Sequence, residues 1–297
     1  MIFTIILSIF PILLVVSIFA IGFSWYIAHS SMMPAKTPKT ETPAHQGLSY
    51  EDFVLKNSDV TLRGWFIPAA GTDTGPTRAP AIIVSHGWGR SAQQMLPHAS
   101  YLHEAGFHVV LYDMRGHGDS DAVPFVTLKH LVKDLVAVLD YILTRPDVDN
   151  EAIGLFGHSM GAAVSLLKAS TDSRIKAVVS SSGFADLYDL TTQMLHMRKL
   201  PAFPFRWLIL KFWQKYTGLS IEEVNPVARI RQIHAPVLLL HGEQDQVITP
   251  DQLDKLFQNA NQAEKHLVSG KTHSDLFEDE NYRARVISFF KTYLGCS

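Results

Sequence analysis

The chain has 297 residues and a formal net charge of −2, from 26 Lys and Arg against 28 Asp and Glu. With 47% hydrophobic and 18% charged residues, it can bury the core of one large α/β domain and is no disordered chain. Its acids and bases are interspersed, which leaves no basic patch for nucleic acid, and its one cysteine, Cys296, excludes an internal disulfide or a cysteine-rich metal site.

The first stretch differs in kind from the rest. Met1 to Ile27 is almost wholly apolar, and no Asp, Glu, Lys or Arg occurs before Lys36. A helix needs roughly 20 apolar residues to cross a bilayer, which this run exceeds. It reads as an uncleaved transmembrane anchor over residues 1–28, with Trp25 and Tyr26 as an interfacial aromatic pair. A cleaved signal peptide, leaving a secreted or periplasmic domain, is the alternative. It fits less well, because a charged n-region and a clear A-x-A site are missing. Lys36 and Lys39 after the span tilt the orientation toward a cytoplasmic C-terminal part.

Residues 29–49 hold a Pro- and Thr-rich stretch, Pro34 to Gly47, that reads as an extended linker. A folded domain starts near residue 50. Phe53–Lys56 and Val60–Ile67 form an expected strand pair broken at Asn57-Ser58-Asp59, and Pro68 to Pro80 is a loop. Short apolar strands then alternate with helices. The strands are Ala81–Ser85, His108–Tyr112, Ala152–Phe156, Ile175–Ser180, Val237–Leu240 and Lys265–Val268. The helices are Ala92–Ala105, Thr127–Thr144, Ser159–Ala169, Asp251–Asn259 and Asp275–Tyr293. Fully apolar strands in this alternation predict a mostly parallel sheet covered on both faces. The stretch 184–231 interrupts the rhythm and is too long for a plain connection, so it reads as a helical lid insertion.

In an open parallel sheet, reactive groups gather beyond the carboxyl ends of the strands. Following successive strands come His86-Gly87-Trp88-Gly89, Asp113-Met114-Arg115-Gly116-His117-Gly118-Asp119-Ser120, Gly157-His158-Ser159-Met160-Gly161, His241-Gly242-Glu243-Gln244-Asp245 and Ser269-Gly270-Lys271-Thr272-His273. A serine, an acid and a histidine thus fall at one end of the sheet, in that chain order.

With G-x-S-x-G on a strand–turn–helix, this order resembles the α/β-hydrolase family over residues 50–297. The chain looks most like bacterial membrane-anchored or secreted members grouped as esterase, lysophospholipase-like or serine aminopeptidase-like hydrolases. The resemblance implies an α/β-hydrolase fold with an eight-stranded, mostly parallel sheet, helices on both faces and a lid. It also implies an acyl-enzyme mechanism. Ser159 would be the nucleophile, His273 its general base and Asp245 the acid that orients the imidazole. The N–H of Met160, at a helix N-terminus, is one oxyanion donor, and the resemblance points to Trp88 N–H as the other. Asp113, Arg115, Asp119 and Ser120 match a family loop of structural role.

Several alternatives stay open. Ser159 could be small-residue packing, and Asp186 rivals Asp245 because some relatives carry the acid after the preceding strand. His241 and His266 rival His273, although only His273 lies between the last strand and the last helix. His86 and His158 read as binders of loop backbone. The aromatic cluster Phe203 to Tyr216, interleaved with Arg206, Lys211 and Lys215, is either lid core or an acyl- or membrane-contacting surface. No metal-ligand spacing and no phosphate loop occurs, so no cofactor is expected. The expected function is hydrolysis of a small-molecule or lipid-like carboxylic ester, thioesters included. A peptidase or amidase with the same triad, or an idle membrane-tethered binding module, is the alternative.

Overall fold

A computed structural model of the protein describes residues 2–71 and 78–295, with side chains from Phe10 onward. Cys296 and residues 72–77 of the Pro68–Pro80 loop lie outside the described residues. The chain divides into two compact units. One comprises residues 1–33 and 187–221, the other residues 34–186 and 222–297.

The chain begins with α1 (Ile2–Ser30), which carries Pro11 internally. Within it Phe10–Ser30 has a mean hydropathy of 2.1 and is long and apolar enough to cross a membrane. The second unit is built on one eight-stranded sheet. Its strands are β1 (Glu51–Asn57), β2 (Val60–Ile67), β3 (Ala79–Ser85), β4 (His108–Asp113), β5 (Val148–His158), β6 (Ile175–Ser181), β7 (Val237–Gly242) and β8 (Ala263–Val268). They lie in the order β1-β2-β4-β3-β5-β6-β7-β8. β1 and β2 form an antiparallel hairpin turning at Ser58–Asp59, and β2 runs antiparallel to β4. All later pairings are parallel.

The central strands alternate between two cores. Ile83, Val110, Leu155, Val178 and Leu239 face one side, where α3 (Leu128–Ile142), α4 (Met160–Ala169) and α9 (Asp251–Asn259) cover them. Ile82, Leu111, Phe156, Val179 and Leu240 face the other, under α2 (Leu96–Glu104) and α10 (Glu280–Leu294). A strand buried on both faces has no use for a polar position, which explains its continuous apolar run. Two helices expected as single pieces are divided. Residues 92–95 form a 3-10 turn before α2, because Pro97 lacks the N–H that a continuous helix would donate to Gln93. Ahead of α10, Asp279 takes an extended conformation and caps the helix by accepting from the Tyr282 N–H at 2.7 Å.

The insertion contains α5 (Leu187–Met197), α6 (Phe205–Thr217) and the short α7 (Ile221–Val224). Its expected ends belong to the sheet-bearing unit. Val227 N–H, in α8 (Pro226–Arg229), donates to the buried Ala185 carbonyl at 2.9 Å, and Ile230 and Ile233 are buried in the sheet core. Apolar side chains at both ends draw these residues into that core.

Pro34 to Gly47, expected as a linker, is strapped along the sheet-bearing unit. Thr37 Oγ1 donates to the Gly89 carbonyl at 2.9 Å, and Thr40 N–H donates to Gln93 Oε1 at 2.7 Å. Lys39 Nζ lies 2.9 Å from the buried Asp113 carboxylate, 2.7 Å from Asp119 and 4.1 Å above the Trp65 ring. Removing the cation strands the Asp113 charge in the interior. Lys39→Met is expected to cost about 3 kcal/mol in urea unfolding of the full chain in detergent. An unchanged midpoint would show that the strap carries no such pair.

Candidate active site

The end of β5 and the start of α4 meet at Ser159. A Cβ on Gly161 would fall on the Ser85 carbonyl oxygen, so only glycine lets α4 come this close to the end of β3. That approach leaves no room for a gradual turn. Ser159 takes φ +55° and ψ −116°, a region that costs a non-glycine residue of order 1–3 kcal/mol. Its N–H donates to the Ser181 carbonyl at 2.9 Å, and its own carbonyl accepts from Ala162 N–H at 3.0 Å. These bonds hold the strained residue with its hydroxyl half-exposed beyond the sheet.

At the end of β7, Gly242 allows the acid loop to approach the histidine loop. A Cβ there would fall on the Thr272 carbonyl oxygen. Gln244 N–H donates to the Lys271 carbonyl at 2.8 Å and fastens the two loops together. His273, between β8 and α10, lies with Nε2 3.0 Å from Ser159 Oγ and Nδ1 2.7 Å from Asp245 Oδ2. With Nδ1–H donating to the carboxylate, Nε2 is free to accept from the serine hydroxyl. The three residues form one hydrogen-bonded line.

Among the alternatives, the carboxylate that meets His273 is that of Asp245, whereas the Asp186 N–H donates to Gln252 Oε1 at 3.2 Å. His266 stays in mid-strand, opposite Leu240. His241 stands beside the acid. Its Nε2 lies 2.8 Å from the Ile248 carbonyl and 3.2 Å from Asp245 Oδ2. Both neighbours are acceptors, so Nε2 carries the proton. Asp245 Oδ1 accepts from the N–H groups of Val247 and Ile248, each at 2.9 Å. The H-G dipeptide ending β7 was the only sequence signal of this second donor.

The His86–Gly89 loop runs beside the serine. A Cβ on Gly87 would stand 3.3 Å from Ser159 Cβ. His86 pins that loop, with Nδ1 2.8 Å from the Gly87 carbonyl and Nε2 accepting from Met114 N–H at 3.0 Å. Trp88 follows, its ring edge-on to His117 at 5.1 Å. Met160 opens α4, where its N–H has no intrahelical acceptor. His158 turns its ring to that of His273, 5.0 Å between centroids, rather than into loop backbone.

A family model described as "Serine aminopeptidase, S33" (Hydrolase_4) matches residues 76–225. The chain belongs to this family of α/β hydrolases. Protein YfhR of Escherichia coli O157:H7 is 30% identical over 253 residues, 82% of this chain and 81% of that protein. The alpha/beta hydrolase domain-containing protein WAV2 of Arabidopsis thaliana is 28% identical, covering 74% of this chain and 69% of its own. In fold, the Pyrococcus furiosus esterase Pf2001 superposes with a TM-score of 0.69 at 24% identity, over 88% of this chain and 100% of that one.

In this hydrolase the Asp113–Ser120 loop is framework. Asp113 accepts from Ala92 N–H at 2.7 Å and Asp119 N–H at 2.9 Å, and Ser120 Oγ donates to the Asp113 carbonyl at 2.6 Å. Arg115 pairs with the buried Asp134 through Nε and Nη2 at 2.6–3.0 Å. The family motif thus ties the β4 loop to α3 and to the 3-10 turn before α2.

The electrostatics around the site keep one charge and suppress others. Burial alone would raise the Asp245 carboxyl, but hydrogen bonds from His241 and His273 overcome it and hold the group well below the usual carboxylate range. Burial pushes His98 down to about 3 and His86, with His117 adding to the effect, down to about 4. Burial and the His273 charge likewise keep His158 well below 6.5. These imidazoles remain neutral while the folded hydrolase is intact. In the unfolded chain each binds a proton below about pH 6.5, so their contribution is full above that value and is lost as pH falls toward 4. Between pH 7 and 5, one such histidine costs about 2 kcal/mol of stability. His98→Phe leaves Tyr101 OH without the His98 Nδ1 partner that stands 2.8 Å away, a pH-independent loss. Urea titrations at pH 7 and 5 are expected to show about 2 kcal/mol less acid destabilisation in His98→Phe than in the native chain. Equal slopes would mean that His98 titrates normally.

Proposed function

We propose that the protein is a membrane-anchored serine hydrolase that cleaves carboxylic esters through an acyl-enzyme. The unbroken line Ser159–His273–Asp245, at 3.0 and 2.7 Å, carries this reading. Ser159 Oγ attacks the ester carbonyl carbon as its proton passes to His273 Nε2. Asp245 keeps Nδ1–H in place and stabilises the imidazolium that results. The N–H groups of Met160 and Trp88 receive the developing oxyanion, a donor pair of which each member is typically worth about 10²–10³ in kcat. The imidazolium then returns its proton to the leaving alkoxide. Water, deprotonated by the same Nε2, attacks the acyl carbon and frees Ser159. A thioester follows the same steps with a thiolate as leaving group.

A peptidase is the second reading, favoured by the matched family's description as a serine aminopeptidase. The two differ in leaving group, not in machinery, so substrate preference decides. Fluorophosphonate is expected to label the native chain and not Ser159→Ala, and His273→Ala is expected to lose at least about 10³-fold in turnover. Equal labelling of Ser159→Ala would sink the mechanism. p-Nitrophenyl esters of graded chain length are expected to outpace aminoacyl-anilides; the reverse order would make the enzyme a peptidase. Undiminished turnover in Asp245→Asn would move the acid to Asp186.

The reading also takes α1 as a single-pass anchor, with the sheet-bearing unit on the cytoplasmic side that Lys36 and Lys39 favour. The full chain is expected to need detergent for extraction. A shortened, freely soluble product of the full chain would make α1 a signal sequence.

A further inference from the structure

The apolar helix α1 does not end alone. Ala28 is fully buried together with Leu195 of α5 and Ile209 of α6, and Phe205, Phe212 and Trp213 pack on them. Ser24 and Ala20 are buried one and two turns earlier on the same stripe, where small side chains let a neighbouring helix come close. Hydrogen bonds close the contact. Trp213 Nε1 donates to the Ala28 carbonyl at 3.1 Å and to Ser31 Oγ at 3.0 Å, and Ser31 Oγ donates to the same carbonyl at 2.9 Å. The Ala28 carbonyl lies in the last turn of α1, where no intrahelical N–H reaches it. An indole from the insertion supplies the partner.

The contacts also set a direction. The Phe23 and Phe205 rings meet edge-on at 5.6 Å, and His29 meets Tyr216 at 5.9 Å. Both helices therefore advance together. Eleven residues of α6 rise about 16 Å against about 9 Å for six residues of α1, so α6 crosses obliquely. Its aromatic N-terminal end lies beside the apolar part of α1, and its lysines lie toward the end where α1 leaves the apolar segment. Phe203, two residues before α6, is 81% exposed, and Trp207 in its first turn is 56% exposed. Arg206, Lys211 and Lys215 are exposed on the same helix, and among the described residues neither lysine pairs with a carboxylate.

We propose that α6 is an interfacial membrane helix, docked on the anchor, that dips Phe203 and Trp207 into an anionic bilayer and sets Lys211 and Lys215 among its headgroups. The inference rests on α1 being the membrane anchor. Three features select the bilayer. The apolar end of α6 is continuous with a helix of membrane-spanning length. Exposed Phe203 and Trp207 precede exposed Lys211 and Lys215, the depth order of an interface, and the cations match anionic lipid. Between the aromatics, the Arg206 guanidinium is drawn back to Thr192 Oγ1 at 3.1 Å. The enzyme thereby holds its insertion at the lipid surface instead of trailing it in water.

The test uses the full chain with Cys296→Ser, reconstituted in phosphatidylcholine vesicles with or without added phosphatidylglycerol. A lipid-facing fluorophore is placed in turn at Phe203→Cys, at Ile18→Cys in α1 and at Val54→Cys in β1, the native residues being exposed at all three. Brominated lipid is expected to quench the labels at 203 and 18 at least about twofold more than the label at 54. Phosphatidylglycerol is expected to deepen quenching at 203, and Lys211→Glu with Lys215→Glu to abolish that increment. A label at 203 that behaves like the one at 54, while 18 is quenched, overturns the proposal and leaves the anchor standing. No quenching at 18 overturns the anchor and the proposal together. Quenching at 203 indifferent to phosphatidylglycerol removes anionic lipid as the partner and so overturns the proposal in that form.

Discussion

The site depends on the close approach of α4 to the end of β3, where Gly161 lies against the Ser85 carbonyl. Because no side chain intervenes, the chain must reverse from strand to helix within one residue. That residue is Ser159, held at φ +55°. The strain is held by backbone hydrogen bonds to the neighbouring strand and to the first turn of α4. It yields a hydroxyl that stands clear of the sheet, beside the Gly87 backbone and the opening N–H of α4. The exposed hydroxyl and the opening N–H groups of α4, with the helix field behind them, are thus consequences of one packing contact.

The electrostatic arrangement follows from burial used selectively. Asp245 is removed from solvent and yet stays ionised, since two imidazoles and two backbone N–H groups address its oxygens. At His86, His98 and His158 burial outweighs the support they receive, and the same interior drives them neutral. One histidine beside the serine, His273, keeps contact with both an anion and solvent. His273 bridges Ser159 and Asp245, whereas His86 and His98 act as hydrogen-bonding and packing elements.

Two N-terminal features carry more structure than an anchor and a spacer require. Lys39 offsets a fully buried aspartate that itself organises the β4 loop, so the strap is part of the sheet-bearing unit. Earlier in the chain, the last turns of α1 are built into the helices of the insertion through Ala28 and Trp213. The chain is thus packed within its own unit on each side of Met33, α1 on the insertion helices and the strap on the sheet-bearing unit.

The eight strands, the main helices of the sheet-bearing unit and the position of the serine, acid and histidine loops were legible in the sequence. Period, length and turn chemistry are local properties, and strand ends place reactive loops on one edge. The sequence alone also separated the apolar run of α1 from the rest, because hydropathy needs no partner. Only the tertiary structure decided which acid meets His273, since Asp245 and Asp186 follow adjacent strands and differ in where their loops bend. It alone assigned His241 to the acid, Lys39 to Asp113 and Trp213 to α1. Each of these pairs joins residues whose meeting depends on loop paths and helix packing, and no local pattern encodes a partner that the chain reaches only after folding.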